Sequence, residues 1–324
     1  ANNGDNNGGG GENNGANNGD NNGANNGANN GGNNGQEACR YPFTNARRAA
    51  LGSVAPNVVW PDAYTDAGEV RELSLEQIHC DAEFAHIETI IIVFSAGWCP
   101  NCPAYGRMVQ SEWADTLVEE NALLIWMEIE TTNYQPADGS SAWNTFGRYY
   151  SGPGFRVGDK NASVPFAGSP LVRAFPSQAV IRKSDMKVIA SSSTSQYLMP
   201  LVQIARHPDA DWSDAGANTL PTDVGIPCSR EVDCDPGTLI PVCIQPTDER
   251  GQPTGWVDGY CTGLTCKGNE ACGDSNLCAT VSEDGLTACF QGCTSGAEGD
   301  CRTGYECQNL GGPTTPTACL PPQE

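Results

Sequence analysis

Apolar residues are concentrated between residues 37 and 210, and their spacing there predicts regular elements. IIIVF at 90–94 is a short, continuous apolar run, which is typical of a buried strand. ALLIWMEIE at 122–130 predicts a second strand, and AVIRKSDMKVIA at 179–190 predicts two strands around a turn. This part of the chain is therefore expected to contain a sheet.

Helical spacing lies between and after these strands. Beyond the first strand an apolar residue recurs every four positions, at Tyr105, Val109, Trp113 and Leu117. That spacing describes one face of an amphipathic helix. QYLMPLVQIAR at 196–206 predicts a closing helix, although it contains a proline. Strand, helix, strand, hairpin and helix in this order predict an α/β domain over 37–210, with a central sheet flanked by helices.

Residues 1–36 show no apolar pattern and consist of a repeated xNNG tetrapeptide. Such a segment contains no apolar cluster whose burial could offset the entropy that the chain loses on folding. This favours a flexible, hydrated tether. Asn-Gly also favours tight turns, so an ordered, stacked repeat with a strict period of four is the alternative to the tether. The N-terminus is thus a candidate for membrane or cell-surface anchoring, or for self-assembly.

The C-terminal part is dominated by cysteine. Residues 211–226 are polar and predict a linker, and residues 227–324 contain 12 of the 16 cysteines among Gly, Thr, Asp and Pro. C-x5-C recurs four times there, which predicts a domain of small modules held by six disulfides rather than by one apolar core. The pairing cannot be derived from the sequence.

The cysteine content indicates a compartment. Disulfide frameworks persist outside the reducing cytosol, so we expect periplasm, cell surface or secretion. Zinc is the competing explanation, but the chain has three histidines and one C-x-x-C, so neither a metal nor a cofactor is expected. The chain begins at Ala1 without a signal peptide, which we interpret as a mature or trimmed form. No apolar run approaches the roughly 20 residues of a spanning helix.

The net charge of the chain limits the kinds of partner that it is expected to bind. The chain carries 17 Lys and Arg against 39 Asp and Glu, a formal net charge of -22. This excess repels phosphates and anionic lipid headgroups, so nucleic acid is excluded as an expected partner.

The candidate chemistry lies in GWCPNCP at 97–103. Here the predicted strand runs into the predicted helix, which we expect to start near Pro100. A cysteine at a helix start is exposed, and its thiolate is stabilised by free N–H groups, which describes Cys99. Cys102, more sheltered in the first turn, can attack the mixed disulfide and release the substrate.

Three stretches resemble known redox proteins. VFSAGWCPNC resembles the active-site segment of thioredoxin-fold proteins, and GSVAPNVVWPDAYTDAGEVRELSLEQIHCD resembles the start of the TlpA, ResA and AhpC/TSA redoxins. AFPSQAVIRKSDMKVI resembles the cis-proline element of that family, which implies that Pro176 and Phe175 line a substrate groove facing the cysteines. Trp98 would shield the pair. The resemblance covers roughly residues 50–206 and implies protein disulfide or dithiol substrates.

The chain departs from this family in several places. Val93 stands where thioredoxin has a buried aspartate that accepts a proton, so Glu128 is our candidate acceptor, with Glu130 as an alternative and surface solvation as the simpler role for either. The peroxiredoxin pattern of Pro, three residues, Thr or Ser, two residues and Cys is absent before Cys99, which argues against a peroxidase. The segment between residue 130 and Pro176 is long, and is either a rim over the groove or a surface insertion.

Cys39 and Cys80 belong neither to the 12 tail cysteines nor to the Cys99–Cys102 pair. They flank the first part of the domain, so we expect a structural disulfide that closes a loop of about 40 residues. A second redox couple is the alternative. The cysteine-rich tail loosely resembles that of secreted myxobacterial proteins, a resemblance that implies location rather than activity.

Two functions follow from these predictions. The first is an extracytoplasmic thiol–disulfide oxidoreductase that uses the Cys99–Cys102 couple on exported proteins. The second is a cell-surface or filament-forming structural protein, in which the xNNG repeat drives tethering or assembly and the thioredoxin-like domain is a scaffold. Copper(I) delivery is a weaker third function, because the chain has only four methionines and no histidine beside the pair.

Overall fold

A computed structural model describes the chain over seven ranges, 39–160, 165–166, 168–192, 199–213, 220–294, 299–310 and 316–322. The xNNG repeat at 1–36 lies outside the described residues, so the tether and the ordered repeat both stay predictions. From Cys39 to Glu324 the chain forms one compact unit.

Seven strands form a mixed sheet in the first half of this unit. They are β1 Val59–Tyr64, β2 Val70–Ser74, β3 Thr89–Ala96, β4 Ala122–Glu130, β5 Phe155–Gly158, β6 Ser177–Arg182 and β7 Lys187–Ser192. Their order is β2-β1-β5-β4-β3-β6-β7, with β3, β4 and β5 parallel and β6 antiparallel to β3. The predicted strands are therefore confirmed. Because β3 lies inside the sheet with both faces covered, all eight of its residues are buried.

Five α-helices accompany the sheet, namely α1 Leu75–Cys80, α2 Cys102–Met108, α3 Ala114–Glu119, α4 Gly139–Phe146 and α5 Leu201–Arg206. A π-helical turn at Val109–Trp113 joins α2 to α3, and the predicted apolar face along this stretch is buried throughout. Pro200 is the N-cap of α5, a position where its missing N–H removes no helical bond. Within the described ranges, no helix is long and apolar enough to cross a bilayer.

The sheet separates two apolar clusters, because successive strand residues face opposite sides. Ile90, Ile92 and Phe94 lie in the cluster with β1, α1 and β7. Ile91 and Val93 lie in the other cluster, which packs against α2, α3 and α5. The result is the expected α/β arrangement of a central sheet flanked by helices.

The segment between β4 and Pro176 is mainly part of the core rather than a surface insertion, and its first turn lies beside Trp98, where a rim of the groove was expected. It supplies α4 and β5 to the core: the Phe146 ring packs on Trp126 at 5.5 Å between centroids, and β5 pairs with β4. β5 even buries an arginine, Arg156, whose guanidinium donates to the carbonyls of Tyr150 and Gly152 at 2.7 Å. Burial lowers the pKa of Arg156. A four-residue strand with a central charge shows too little apolar pattern to be predicted.

The tail contains six short strands, β8 Ile240–Ile244, β9 Tyr260–Leu264, β10 Asn276–Thr280, β11 Thr287–Gln291, β12 Glu306–Asn309 and β13 Thr317–Leu320. The first four form a sheet in the order β10-β11-β9-β8, and the last two form a separate hairpin.

The 12 tail cysteines are paired in a pattern that repeats three times. In each successive group of four, the first cysteine bonds to the third and the second to the fourth. The pairs are Cys228–Cys243 and Cys234–Cys261, Cys266–Cys278 and Cys272–Cys289, and Cys293–Cys307 and Cys301–Cys319. The third and fourth cysteines of each group lie directly opposite each other on paired strands. The tail is thus three versions of one four-cysteine module.

The first module is docked on α5. Gln203 Nε2 donates to the carbonyl oxygen of Cys234 at 2.9 Å, and the Arg206 guanidinium donates to the carbonyls of Cys234 and Val232. Within the predicted linker at 211–226, Gly225 N–H donates to the carbonyl of Cys261, so the end of that segment belongs to the first module.

Candidate active site

The loop that follows β3 holds the Cys99–Cys102 pair, which is joined as a disulfide. We expected the helix to begin near Pro100, but α2 begins at Cys102. Pro103 then falls in the first turn, where its missing N–H leaves no helical bond unmade. The backbone N–H of Cys102 donates to Sγ of Cys99 at 3.1 Å. This amide is placed to stabilise negative charge on the Cys99 sulfur.

Both cysteines are more buried than a typical exposed nucleophile. Cys99 is 4% exposed and Cys102 is fully buried, so the order of exposure is as expected but Cys99 is more enclosed. The reason is that both belong to the apolar cluster beneath α2, together with Val93. A substrate thiol must therefore reach a sulfur that is almost completely covered by its surroundings.

Phe175 and Pro176 lie close to the cysteine loop, and the peptide bond between them is cis. Because Ser177 pairs with Phe94 near the end of β3, the start of β6 comes next to the loop that carries Cys99. The Phe175 ring meets the Trp98 ring edge-on at 5.6 Å. The structure therefore brings Trp98 and Phe175 together, as the predicted groove requires.

Trp98 has a second aromatic neighbour that the sequence analysis missed. Its ring stacks on Tyr134 at 5.5 Å between centroids, and its Nε1 donates to Oε2 of Glu130 at 2.8 Å. Glu130 is thus engaged in orienting Trp98. Tyr134 lies in a polar turn, TTNYQ at 131–135. A single aromatic residue among polar turn residues is the feature of the sequence that could have identified it as a candidate site residue.

Glu128 lies on the same face of β4 as Trp126, and it is fully buried rather than surface-solvating. A Cβ atom at Gly97 would come within 2.7 Å of Glu128 Oε1, which places the carboxyl directly against the chain two residues before Cys99. Only glycine fits there.

Burial raises the pKa of Glu128 to about 7. The hydroxyls of Ser141 and Thr145 on α4 oppose this rise, and the charge of Asp138 adds to it. Those hydroxyls act weakly, because neither carboxyl oxygen has a partner within hydrogen-bonding geometry. Glu128 is therefore a carboxyl that can hold or release a proton near neutral pH.

Asp159 is a second buried carboxyl that the sequence analysis missed. It follows β5, and its backbone N–H donates to the carbonyl oxygen of Glu128 at 3.0 Å. Burial raises the pKa of Asp159 to about 7, and its Oδ1 has no hydrogen-bond partner. Its sequence context, GDK, carried no signal of burial.

Cys39 and Cys80 form a disulfide with a sequence separation of 41. Cys80 is the last residue of α1. This bond joins the start of the described chain to the lead-in helix, which is the arrangement that we expected of a structural disulfide.

No protein-family model matches the chain, and no curated protein matches it. Among solved structures it is similar to peroxidoxin BcpB from Mycobacterium tuberculosis, at 15% identity and a TM-score of 0.36 over 50% of this chain and 100% of that one. A thiol:disulfide interchange protein from Bacteroides sp. has 15% identity and a TM-score of 0.31 over 44% and 82%. Mycobacterium tuberculosis AhpC has 10% identity and a TM-score of 0.36 over 51% and 95%.

Proposed function

We propose that this protein is an extracytoplasmic thiol–disulfide oxidoreductase that acts on exported polypeptides through Cys99 and Cys102. One observation carries the proposal. Of the eight disulfides, this pair closes by far the shortest loop, with a separation of 3 against 12 to 41 for the others, and it lies at a strand-to-helix junction beside the paired rings of Trp98 and Phe175. A structural bond needs no such setting.

The oxidising direction starts from the disulfide as it stands. A substrate thiolate attacks Sγ of Cys99, the Cys99–Cys102 bond breaks, and Cys102 leaves with the electron pair as a thiolate. The second substrate thiolate attacks the substrate sulfur of the mixed disulfide, which forms the substrate disulfide and releases Cys99 as a thiolate. The two electrons remain on the protein cysteines, and a second disulfide compound takes them to restore the pair.

Glu128 is our proposed proton carrier for this exchange. A carboxyl with a pKa of about 7 is partly protonated at neutral pH, so it can supply a proton to the thiolate released beneath α2 and take it back afterwards. Val93 cannot do this, and the buried Glu128 is the carboxyl placed against the cysteine loop. The amide of Cys102 supports the other thiolate, on Cys99.

Location outside the cytosol is supported by the remaining cysteines. All 16 are in disulfides, and 14 of these residues lie outside the candidate couple. Seven disulfides of this kind persist only in an oxidising compartment. The same compartment favours oxidation or isomerisation of substrates, because reduction would require a dedicated electron donor.

The test is turnover of insulin disulfides by the full chain with glutathione as electron donor, which spares structural disulfides. We expect Cys99→Ser to reduce the rate to background, while the Cys39→Ser/Cys80→Ser variant keeps the wild-type rate as the matched control. Unchanged turnover by the Cys99→Ser variant would refute the proposed function. Alkylation and mass spectrometry in graded glutathione buffers should give the couple a reduction potential above roughly -300 mV, the region of labile disulfides.

A further inference from the structure

We propose that Tyr134, Trp98 and Phe175 form an aromatic platform that binds an aromatic side chain of the substrate polypeptide next to its reactive cysteine. The inference rests on the proposed function and specifies its substrate class. It adds Tyr134 as a residue that determines specificity.

Exposed aromatic rings are rare on this protein. Among the described residues three aromatic side chains are exposed, namely Phe43 at 84%, Trp98 at 39% and Tyr134 at 65%. Two of these three stack on each other beside Cys99, and the partly buried Phe175 extends the contact toward Pro176. Exposed apolar surface of this kind marks a binding site when it is continuous, as it is here.

The backbone holds Tyr134 in a conformation that bulky residues rarely adopt, with φ of 58°. Hydrogen bonds around Thr131 maintain it: Tyr134 N–H donates to the Thr131 carbonyl, and the N–H groups of Asn133 and Gln135 donate to Thr131 Oγ1. A strained residue in a rigid turn, with its ring turned outward onto Trp98, is preorganised for a partner.

The chemistry of the platform selects its occupant. Aromatic faces attract other aromatic rings through offset or edge-on contacts, beyond the area that they bury. Trp98 immediately precedes Cys99, so a polypeptide whose cysteine reaches Sγ of Cys99 carries its neighbouring side chains over these rings. Because Cys99 is only 4% exposed, the substrate segment must lie close to these rings when its sulfur reaches Sγ.

The test uses oxidation of two dithiol peptides by the full chain, identical except for Phe or Ser next to the reactive cysteine. Dithiothreitol is the reference substrate without side chains. We expect the wild type to show a lower KM for the Phe peptide. Tyr134→Asn, which keeps a residue that tolerates positive φ, should raise that KM about two- to tenfold, the size of one aromatic contact. Its KM for the Ser peptide and its rate with dithiothreitol should change less than its KM for the Phe peptide.

Two variants control this result. Tyr134→Phe should keep the wild-type KM, and Phe43→Ala, which removes an exposed ring elsewhere, should change none of the values. Equal KM values for the two peptides in the wild type, or equal effects of Tyr134→Asn on all substrates, would overturn the platform.

A wild type that oxidises none of the substrates would refute the proposed function but not the platform. In that case the binding of a fluorescent Phe peptide with serine in place of cysteine is measured by anisotropy. Weaker binding to Tyr134→Asn than to the wild type supports the platform, and equal or absent binding overturns it.

Discussion

The two halves of the described chain are held together differently. The N-terminal half, up to Arg206, contains most of two large apolar clusters on either side of a seven-stranded sheet. The tail has smaller clusters: one is built on aromatic residues around Tyr260, and in the other two, cysteines make up half or all of the buried residues. Short chains that cannot bury a large core are stabilised by cross-links instead.

The difference clarifies what a disulfide does in each place. In the tail, six bonds supplement these small clusters. In the N-terminal half, Cys99–Cys102 closes the shortest loop of the eight disulfides, so it stabilises the fold less than a bond that closes a long loop. Cys39–Cys80 also lies in the N-terminal half, but it closes a long loop, which is typical of a structural bond.

The largest expected effect comes from complete reduction. With a strong reductant such as excess dithiothreitol, the tail should lose its structure while the sheet of the N-terminal half persists, because each lost disulfide costs about 2–4 kcal/mol and the tail has six. Hydrogen exchange followed by mass spectrometry would resolve the two halves. Equal loss of protection in β3 and β9 would show that the halves share one source of stability.

Removal of Cys39–Cys80 should have the next largest effect. From its loop length, the Cys39→Ser/Cys80→Ser variant should lose about 4 kcal/mol in the free energy of unfolding, and Cys99→Ser/Cys102→Ser about 2 kcal/mol. Urea denaturation monitored by tryptophan fluorescence gives both numbers. A larger loss for the Cys99 pair would mean that this bond is mainly structural.

The third prediction concerns the stability cost of burying the Glu128 carboxyl in the N-terminal half. Its pKa is raised to about 7, so the folded protein retains a proton that the unfolded chain releases near pH 4.5. Its contribution to stability is therefore lost as the pH rises from about 4.5 through 7. Between pH 4.5 and 8, Glu128→Gln should gain about 3 kcal/mol relative to the wild type.

Two measurements complete this prediction. The exposed Glu72→Gln serves as the control, and a difference that is constant with pH would show that Glu128 is already charged at acidic pH. Turnover by Glu128→Gln should fall by roughly 10²-fold, the lower range for a lost general acid–base group. If turnover by Glu128→Gln depends on pH as turnover by the wild type does, Glu128 takes no part in the proposed proton transfer.

The smallest effect concerns the contact between the halves. Gln203→Leu removes one of the two donors to the carbonyl of Cys234, which should destabilise the docked module by about 1 kcal/mol. Limited proteolysis of the first module would detect this loss, and turnover should stay at the wild-type value. Unchanged protease resistance would indicate that the other contacts, among them the Arg206 hydrogen bonds, the His207–Asp235 pair and the packing of Val232, hold the module without Gln203.

The sequence predicted the elements whose pattern is strong. β3 and β4 are continuous apolar runs, and the face of α2 and α3 repeats every four residues, so each was found with nearly correct bounds. β5 was missed because FRVG is short and buries Arg156, whose charge is satisfied by backbone carbonyls that only the fold brings together. The tail strands were missed because cysteines, rather than an alternating pattern, hold them.

The candidate site divides in the same way. Cys99, Cys102, Trp98, Phe175 and Pro176 were found because they lie in motifs with fixed spacing. Tyr134 and Asp159 were not, because a turn residue and an aspartate after a strand look ordinary until the sheet order places them. The environment of Glu128 likewise depends on α4, which carries Ser141 and Thr145. This helix lies in the segment that we expected to be a rim over the groove or a surface insertion.

The interleaved pairing of the tail has a consequence for proteolysis. Within each module the bond from the first to the third cysteine overlaps the bond from the second to the fourth, so every peptide bond between the first and fourth cysteines is bridged by at least one of them. A protease that nicks any of these stretches releases no fragment. In an environment rich in secreted proteases, the nicked tail remains one covalent molecule until a reductant separates it.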